Sequence, residues 1–177
     1  PHLMIFSDIG PHIRWIGNER GIINETNWNL LDTAGFKRGA GGPPTDSLNR
    51  GNYNGKAWIP GEADVSIRKG WFYHEEEDKT VKSGKQLFDL YLKNVGRGGN
   101  FLLNVPPNRQ GLFSQADSTA LMDFKKIRDA AFKNNLFKNA KVLRTNNSIE
   151  IHLKEAVEIN AIQLMEAISM GQRIVKF

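Results

Sequence analysis

The chain has 177 residues, a hydrophobic fraction of 40%, a charged fraction of 24% and a formal net charge of +5. These proportions are typical of a globular protein, and no uninterrupted apolar run is long enough to span a bilayer. Its lysines and arginines are scattered, which favours solvated charge over a nucleic-acid surface, and the lack of cysteine excludes a disulfide framework and a thiolate metal site.

The first predicted element is a buried strand over LMIF, residues 3–6, which runs directly into FSDIGPHIRWIGNERG. Within about a dozen residues this segment places Asp8, Arg14, Trp15 and Glu19 after a core strand. If the strand belongs to an α/β barrel, such residues lie on the catalytic face, because the working side chains of barrels follow the carboxyl ends of strands. Two ordinary alternatives stay open: Arg14 could pair with Asp8, and Trp15 could be part of the core.

Residues 24–61 show little helical or strand periodicity, and residues 35–55 are dense in Gly, Pro, Asn and Ser, which predicts a loop. A loop of this length in a compact domain tends to be functional or disordered. A short strand is predicted over residues 63–67, and EEEDK at residues 75–79 is predicted to be a solvated turn. This part of the sequence contains a second group of carboxylates, aromatic residues and a histidine: Trp58, Glu62, Asp64, Trp71, Tyr73 and His74. Because His74 precedes three glutamates, a surface histidine is at least as good an interpretation of it as a ligand.

Two helices and a strand follow. SGKQ has the form of a capping box and predicts a helix that begins after Ser83 and ends at Gly96. The apolar run NFLLNVPP, residues 100–107, predicts a strand buried on both faces, with its asparagines closing the strand ends in preference to contacting a substrate. Ser114 is the predicted cap of a helix over residues 115–133.

From Lys141 the segments KVLRT, SIEIHL, AVEINAIQLME and RIVKF alternate with period two, which indicates β structure. The order of elements predicts an α/β fold: the C-terminal units of a (β/α) barrel over residues 1–139, followed by the start of a β-sandwich over residues 140–177. Both termini lie in apolar segments and there is no initiating methionine, so we expect a piece of a longer polypeptide.

The two groups of residues suit sugar chemistry. Carboxylates supply an acid and a base, arginine binds hydroxyl groups, and indole rings pack on the apolar face of a sugar. Neither group is a specific motif by composition alone. Among metal sites, no His-x-x-x-His pattern or carboxylate cluster of known spacing is present, so no metal is expected.

Four segments resemble the retaining α-L-fucosidases, glycoside hydrolase family 29, in particular the subgroup that acts on α-1,3/1,4-linked fucose. They are FSDIGPHIRWIGNERG, ETNW, GEADVSIRKGWFYHEEED and VGRGGNFLLNVPPNRQGL, and the tail INAIQLMEAISMGQRIVKF resembles the start of a galactose-binding-like β-sandwich. The resemblance implies a fucosylated oligosaccharide or glycoconjugate as substrate, no cofactor, and a periplasmic or secreted location.

The resemblance also implies roles for individual residues. Glu19 matches the general acid/base, with Glu62 as the reserve candidate; Arg14 with Trp15 matches an arginine-tryptophan pair beside the fucose, and Trp71 matches an aromatic residue that lines the fucose pocket. The grouping of carboxylates and aromatic residues adds Trp58, Asp64 and Tyr73 as further candidates for contact with the sugar. The family's nucleophile is an aspartate in a Trp-x-Asp-Gly motif, which this chain lacks. The remainder of the same polypeptide is therefore needed for activity, and the fragment alone is expected to be inactive.

Two other classes of function stay open. A non-catalytic glycan-binding module would use the aromatic residues to hold sugar without a reacting carboxylate. A structural fragment would have no activity of its own. The discriminating observation is whether an aspartate nucleophile lies within reach of Glu19.

Overall fold

The structure is a computed structural model, and it describes residues 3–37, 39–146 and 148–166. Its regular elements follow the chain in this order: β1 Phe6–Ser7, β2 Ile13–Trp15, β3 Leu30–Leu31, α1 Thr45–Arg50, β4 Ala57–Trp58, β5 Gly61–Ser66, α2 Gly84–Asn94, β6 Asn100–Asn104, α3 Gln115–Ala131, β7 Lys141–Arg144 and β8 Ile149–His152. Two 3₁₀ helices lie at Glu75–Thr80 and Val95–Arg97.

Four strands form one parallel sheet in the order β1-β2-β5-β6. The β5–β6 connection contains α2, and α3 follows β6, so strands alternate with helices in this part of the chain. Parallel strands need such crossover connections, and here each new strand is added on the same side of the one before it, as in an α/β barrel. The predicted fold class, the C-terminal units of an α/β barrel with β sequence after them, is confirmed.

Both long helices begin where the sequence predicts. Ser83 accepts from the backbone N–H of Gln86 and forms a capping box with it, and Ser114 accepts from the backbone N–H of Asp117. Helix α2 ends earlier than predicted: a 3₁₀ turn follows it, and Gly98, not Gly96, takes the left-handed conformation that closes the segment.

The core lies between the sheet and these helices. Alternate residues of β5 point to one face, where Ala63 packs with Ile16 and Ile23. Just beyond β5, Ile67 packs with Leu87 of α2 and with residues of α3. Because the apolar residues of β5 are all used on this side, the opposite face of the strand is free to carry polar groups.

The segment predicted to be a loop or disordered is partly regular. Helix α1 lies within it, and the antiparallel pair β3–β4 closes its base. Leu48 and Leu31 are buried in it. The helix has only 6 residues, too few for periodicity to reveal it, and its position depends on contacts with the sheet.

Two strand predictions need correction. The segment predicted as a buried first strand is exposed at Leu3, Met4, Ile5 and Phe6, and only Phe6–Ser7 is strand. Strand β6 is half exposed on its two faces instead of buried, with Leu102 51% exposed. Both strands are the outermost of the four described here, and an outermost strand has a neighbour on one side only.

Beyond residue 140, β7 and β8 form an antiparallel hairpin that is a sheet of its own. The boundary at residue 140 stays a prediction. The strand predicted over AVEINAIQLME is wrong for residues 156–166, which form no regular element, because alternation alone does not supply a pairing partner. The predicted strand RIVKF lies outside the described residues.

Candidate active site

The polar face of the parallel sheet carries ionisable, amide and aromatic side chains that could take part in binding or catalysis. Trp15, Glu62 and Asn100 stand in register on three neighbouring strands. Side chains two positions apart on a strand point the same way, so Asp64 and Asn104 share this face with them. Residues that are distant in sequence are therefore brought to one surface.

Two hydrogen-bonded pairs organise this face. The indole N–H of Trp15 donates to the carboxylate of Asp64 at 2.7 Å. The side-chain amide of Asn100 donates to a carboxylate oxygen of Glu62, which is only 7% exposed. Each pair joins two neighbouring strands, and each leaves its carboxylate engaged by a protein donor.

Glu19 lies in the loop that follows β2, residues 16–22, which we call the Glu19 loop. Gly17 and Gly21 bracket it, with φ of +76° and +70°. A Cβ on Gly17 would lie 2.9 Å from the carbonyl oxygen of Thr45, so the chain reverses where only glycine fits. The reversal leaves Glu19 exposed.

A second loop follows β5, residues 67–74, which we call the Trp71 loop. The indole N–H of Trp71 donates to a carboxylate oxygen of Glu19 at 3.3 Å, joining the two loops. Asn104 donates to the Trp71 carbonyl at 2.9 Å and to the Ser66 hydroxyl at 3.1 Å, and that hydroxyl donates to the Gly70 carbonyl at 2.6 Å. The end of β6 thus supports the loop that contacts Glu19.

A buried arginine holds the base of the Trp71 loop. Arg68 is 1% exposed and lies between the carboxylates of Asp117, at 2.9 Å, and Asp78, at 2.5 Å. It also donates to the Ser114 hydroxyl and to the His74 carbonyl. Desolvation alone would lower the pKa of Arg68, but the hydrogen bonds and charges of the two carboxylates leave that pKa raised.

Arg14 does not lie beside Trp15, because neighbouring residues of a strand point to opposite faces. It is fully buried, and its guanidinium donates to four neutral oxygens: the carbonyls of Leu48, Trp28 and Ile59 and the side-chain oxygen of Asn27. Burial lowers the pKa of Arg14 to about 10. This placement does not support a contact of Arg14 with sugar, and it makes the alternative ion pair with Asp8 wrong. Arg14 instead ties β2 to the segments that follow it.

The remaining predicted residues are placed less centrally. The Arg68 guanidinium lies over the ring of Tyr73, 4.7 Å from its centroid. Burial and then the charge of Asp78 raise the pKa of Tyr73. Trp58 belongs to β4, outside the four-stranded sheet, and His74 is exposed beside Glu76 at 3.8 Å. Sugar contacts of Trp58 and Tyr73 stay predictions.

Two open cavities lie elsewhere. One of about 420 Å³ lies beside α2 and α3, and another of about 500 Å³ lies against β4 and the residues before β2. No predicted site residue lines either of them; the linings are Tyr91, Arg128, Asp129, Phe132 and Gln163 in the first and Ile9, Pro11, Thr33, Phe36, Lys37, Ala57 and Ile59 in the second. Neither of these two cavities coincides with the candidate site.

Within residues 3–37, 39–146 and 148–166, His, Asp and Glu side chains form no group of three that could hold a metal ion. None of the helices in those ranges is long and apolar enough to cross a membrane.

Sequence reasoning missed three supporting residues of the site. Asn104 is predicted only to close its strand end, although its spacing from Asn100 already places both on one strand face. Arg68 carried no signal, because an arginine next to a strand is usually solvated. Asn49 lies in the stretch predicted to be a loop, and its amide donates to two carbonyls of the Glu19 loop.

The family model described as "Alpha-L-fucosidase" matches residues 37–126. The curated "Alpha-L-fucosidase 1" of Arabidopsis thaliana is 36% identical over all of this chain and 40% of its own length. The chain thus spans about 40% of the length of the curated relatives it matches.

Two solved structures give the same result. A glycoside hydrolase 29 family member from an unknown rumen bacterium superposes with a TM-score of 0.75 at 38% identity, over 84% of this chain and 26% of that one. A Ruminococcus gnavus GH29 fucosidase, solved in complex with fucose, superposes with a TM-score of 0.62 at 34% identity, over 73% of this chain and 26% of that one. Since the family model covers half of the chain and the fold agrees, the chain belongs to the alpha-L-fucosidase family.

Proposed function

We propose that this chain is the C-terminal part of the catalytic domain of a retaining α-L-fucosidase, together with the start of a β-sandwich. In the longer polypeptide it would help to hydrolyse terminal α-1,3/1,4-linked L-fucose from glycans. The observation that carries the proposal is the contact between Glu19 and Trp71 at 3.3 Å, because it places an exposed carboxyl and an indole together where parallel strands end.

The proposed mechanism has two steps. In the first, an aspartate outside this chain attacks the anomeric carbon while the Glu19 carboxyl gives its proton to the departing glycosidic oxygen. In the second, the Glu19 carboxylate takes a proton from water, and that water displaces the aspartate from the sugar. Retention requires the two carboxyl groups to be roughly 5–5.5 Å apart.

Exposure and hydrogen bonding favour Glu19 over Glu62 as the acid/base. The residue must exchange a proton with water in the second step, and Glu19 is exposed whereas Glu62 is 7% exposed. Glu62 also accepts from the side-chain amide of Asn100 on the neighbouring strand, which ties its carboxylate into the sheet. Glu62 therefore suits a role in holding β5 and β6 together.

The aromatic residues suit the substrate. We assign Trp71 to the apolar face of the fucose ring, with Trp15 held for a similar role by Asp64 at 2.7 Å. The fucose-bound relative from Ruminococcus gnavus supports fucose as the sugar. We further propose a periplasmic or secreted enzyme, which fractionation of cells expressing the full-length protein would test.

The test compares Glu19→Gln and Glu62→Gln in the full-length polypeptide. Loss of a general acid matters most for a poor leaving group, because a sugar alkoxide needs a proton to depart and an activated aryl oxide does not. Glu19→Gln should abolish hydrolysis of a fucosylated oligosaccharide, still form the fucosyl-enzyme from an activated aryl fucoside, and be rescued by azide. If Glu62→Gln shows this behaviour and Glu19→Gln does not, the assignment is wrong; if the full-length wild type binds fucose without hydrolysing fucosides, the protein is a glycan-binding module.

A further inference from the structure

Helix α1 holds the Glu19 loop from outside the sheet. The Nδ2 atom of Asn49 donates to the carbonyl of Ile16 at 3.3 Å and to the carbonyl of Ile22 at 2.9 Å. These carbonyls belong to the first and last residues of the loop. A single amide therefore joins both ends of the loop that carries Glu19.

A second contact with the same helix fixes the start of the loop. Gly17 lies so close to Thr45, the first residue of α1, that a Cβ would meet Thr45 backbone atoms at 2.9 and 3.0 Å. The helix itself is tied to β2, because Arg14 donates to the Leu48 carbonyl at 2.8 Å. The Glu19 loop therefore rests on a short helix that is fastened to the strand preceding the loop.

Other amides contact the loop but serve additional purposes. Asn94 donates to the Gly21 carbonyl at 2.5 Å and also to the Leu90 carbonyl at 2.8 Å within α2, where it is fully buried. Asn18 lies within the loop and donates to the Ile22 carbonyl at 3.2 Å. Asn49 differs because both hydrogen bonds that its side-chain amide donates go to the ends of the loop.

We propose that Asn49 is a positioning residue for the acid/base step: by joining the carbonyls of Ile16 and Ile22 it holds Glu19 against Trp71. The inference rests on the proposed role of Glu19. Asn49 does not touch the sugar; it acts through the loop backbone. A general acid must lie within hydrogen-bond reach of the oxygen that it protonates, and a displacement of about 1 Å can cost about 100-fold in rate.

The expected consequence is specific to proton transfer. When Asn49 loses its donors, the Glu19 loop relaxes, so Glu19 is misplaced as acid in the first step and as base in the second. Substrates with a poor leaving group should therefore lose rate, whereas an activated aryl fucoside should still form the fucosyl-enzyme. The sugar contacts of Trp71 are held from β6 and stay in place, so KM should change little.

The experiment uses the full-length polypeptide with Asn49→Ala and with Asn49→Asp, which keeps the shape but removes the N–H donors. We expect kcat on a fucosylated oligosaccharide to fall 10- to 100-fold with KM within about twofold. Fucosyl-enzyme formation from an activated aryl fucoside should stay within about threefold of wild type, and azide should restore turnover of that substrate.

Asn52→Ala is the matched control. Asn52 lies in the same segment, and its side chain accepts from the Asp32 backbone at 2.9 Å, so the variant loses a comparable bond away from the Glu19 loop. The ratio of the rates of Asn52→Ala on the two substrate classes should equal the ratio for wild type. The inference is overturned if the Asn49 variants match Asn52→Ala, if they slow both substrate classes equally, or if both fail to fold while Asn52→Ala folds.

Failure of the inference is distinguishable from failure of the proposed function. If Glu19→Gln shows no leaving-group dependence, the role of Glu19 is wrong, and the inference falls with it. If Glu19→Gln shows it and the Asn49 variants do not, the role of Glu19 stands and only the positioning role is overturned.

Discussion

The Glu19 loop and the Trp71 loop meet at one hydrogen bond, yet they are held by different chemistry. The Glu19 loop is fastened by neutral amides, chiefly Asn49, and by glycine turns. The Trp71 loop is fastened by Arg68, a buried cation between the carboxylates of Asp117 and Asp78. Two loops that meet at one hydrogen bond can therefore differ greatly in how much stability the protein loses when their supporting residues are removed.

The physical reason lies in desolvation. A neutral hydrogen bond within the protein replaces hydrogen bonds to water, so it adds only about 1 kcal/mol to the free energy of unfolding. Its removal therefore has a small effect. A buried ion pair contributes little compared with an apolar core, but removing one partner leaves an uncompensated buried charge. The Trp71 loop should therefore be the stiff half of the site and the Glu19 loop the adjustable half.

The largest expected effect is that of Asp117→Ala. Both side chains of the Arg68–Asp117 pair are fully buried and only the partly exposed Asp78 stays beside Arg68, so the variant should lose up to about 3–5 kcal/mol in the free energy of unfolding, measured by urea denaturation. Asp123→Ala on the same helix is the control, because its pair with Lys126 is exposed and should contribute at most about 1 kcal/mol. Equal losses in both variants would remove the contrast between the loops.

Gly17→Ala should cause the next largest loss in the free energy of unfolding. The residue has φ of +76° and no room for a Cβ beside Thr45, so we expect a loss of about 1–3 kcal/mol. Gly35→Ala is the control, since Gly35 has φ of +83° with nothing within 4 Å and reports the backbone strain alone. A melting temperature for Gly17→Ala no lower than that for Gly35→Ala would show that the loop does not press on α1.

Asn104→Ala should lower the free energy of unfolding by less than Gly17→Ala does. It removes the bonds to the Trp71 carbonyl and the Ser66 hydroxyl but no charge, so we expect a loss of about 1–2 kcal/mol. Amide hydrogen exchange in residues 67–74 should quicken, while exchange in residues 16–22 stays as in wild type. Faster exchange in both loops would mean that they move as one unit.

The smallest effect concerns the ionisation of Tyr73. Burial and the charge of Asp78 raise the pKa of its phenol, so the neutral form is favoured in the folded state. This contribution to stability is present below the ordinary tyrosine pKa and is lost as pH rises through the raised value. Difference absorbance titration against Tyr73→Phe should show the raised pKa, and Asp78→Asn should lower it; an unchanged pKa in Asp78→Asn would show that the carboxylate is not the neighbour that matters.

Much of the scaffold could be predicted from local signals. The caps at Ser83 and Ser114 located the starts of α2 and α3, because a cap is a bond between residues three apart in the chain. The segment over residues 63–67 predicted β5, which spans Gly61–Ser66. The family resemblance placed Glu19 and Trp71 in one site, and the structure brings them to 3.3 Å.

Local patterns therefore established the helix starts, strands β5 and β6 and the residue types of a sugar site. Three features follow only from the folded chain: Arg14 faces away from Trp15, Arg68 is buried between two carboxylates, and Asn49 joins the ends of the Glu19 loop. These partners are between 10 and 49 residues apart in the chain. Periodicity and capping act within a few residues, so contacts over such separations arise only when strand register and helix packing bring the segments together.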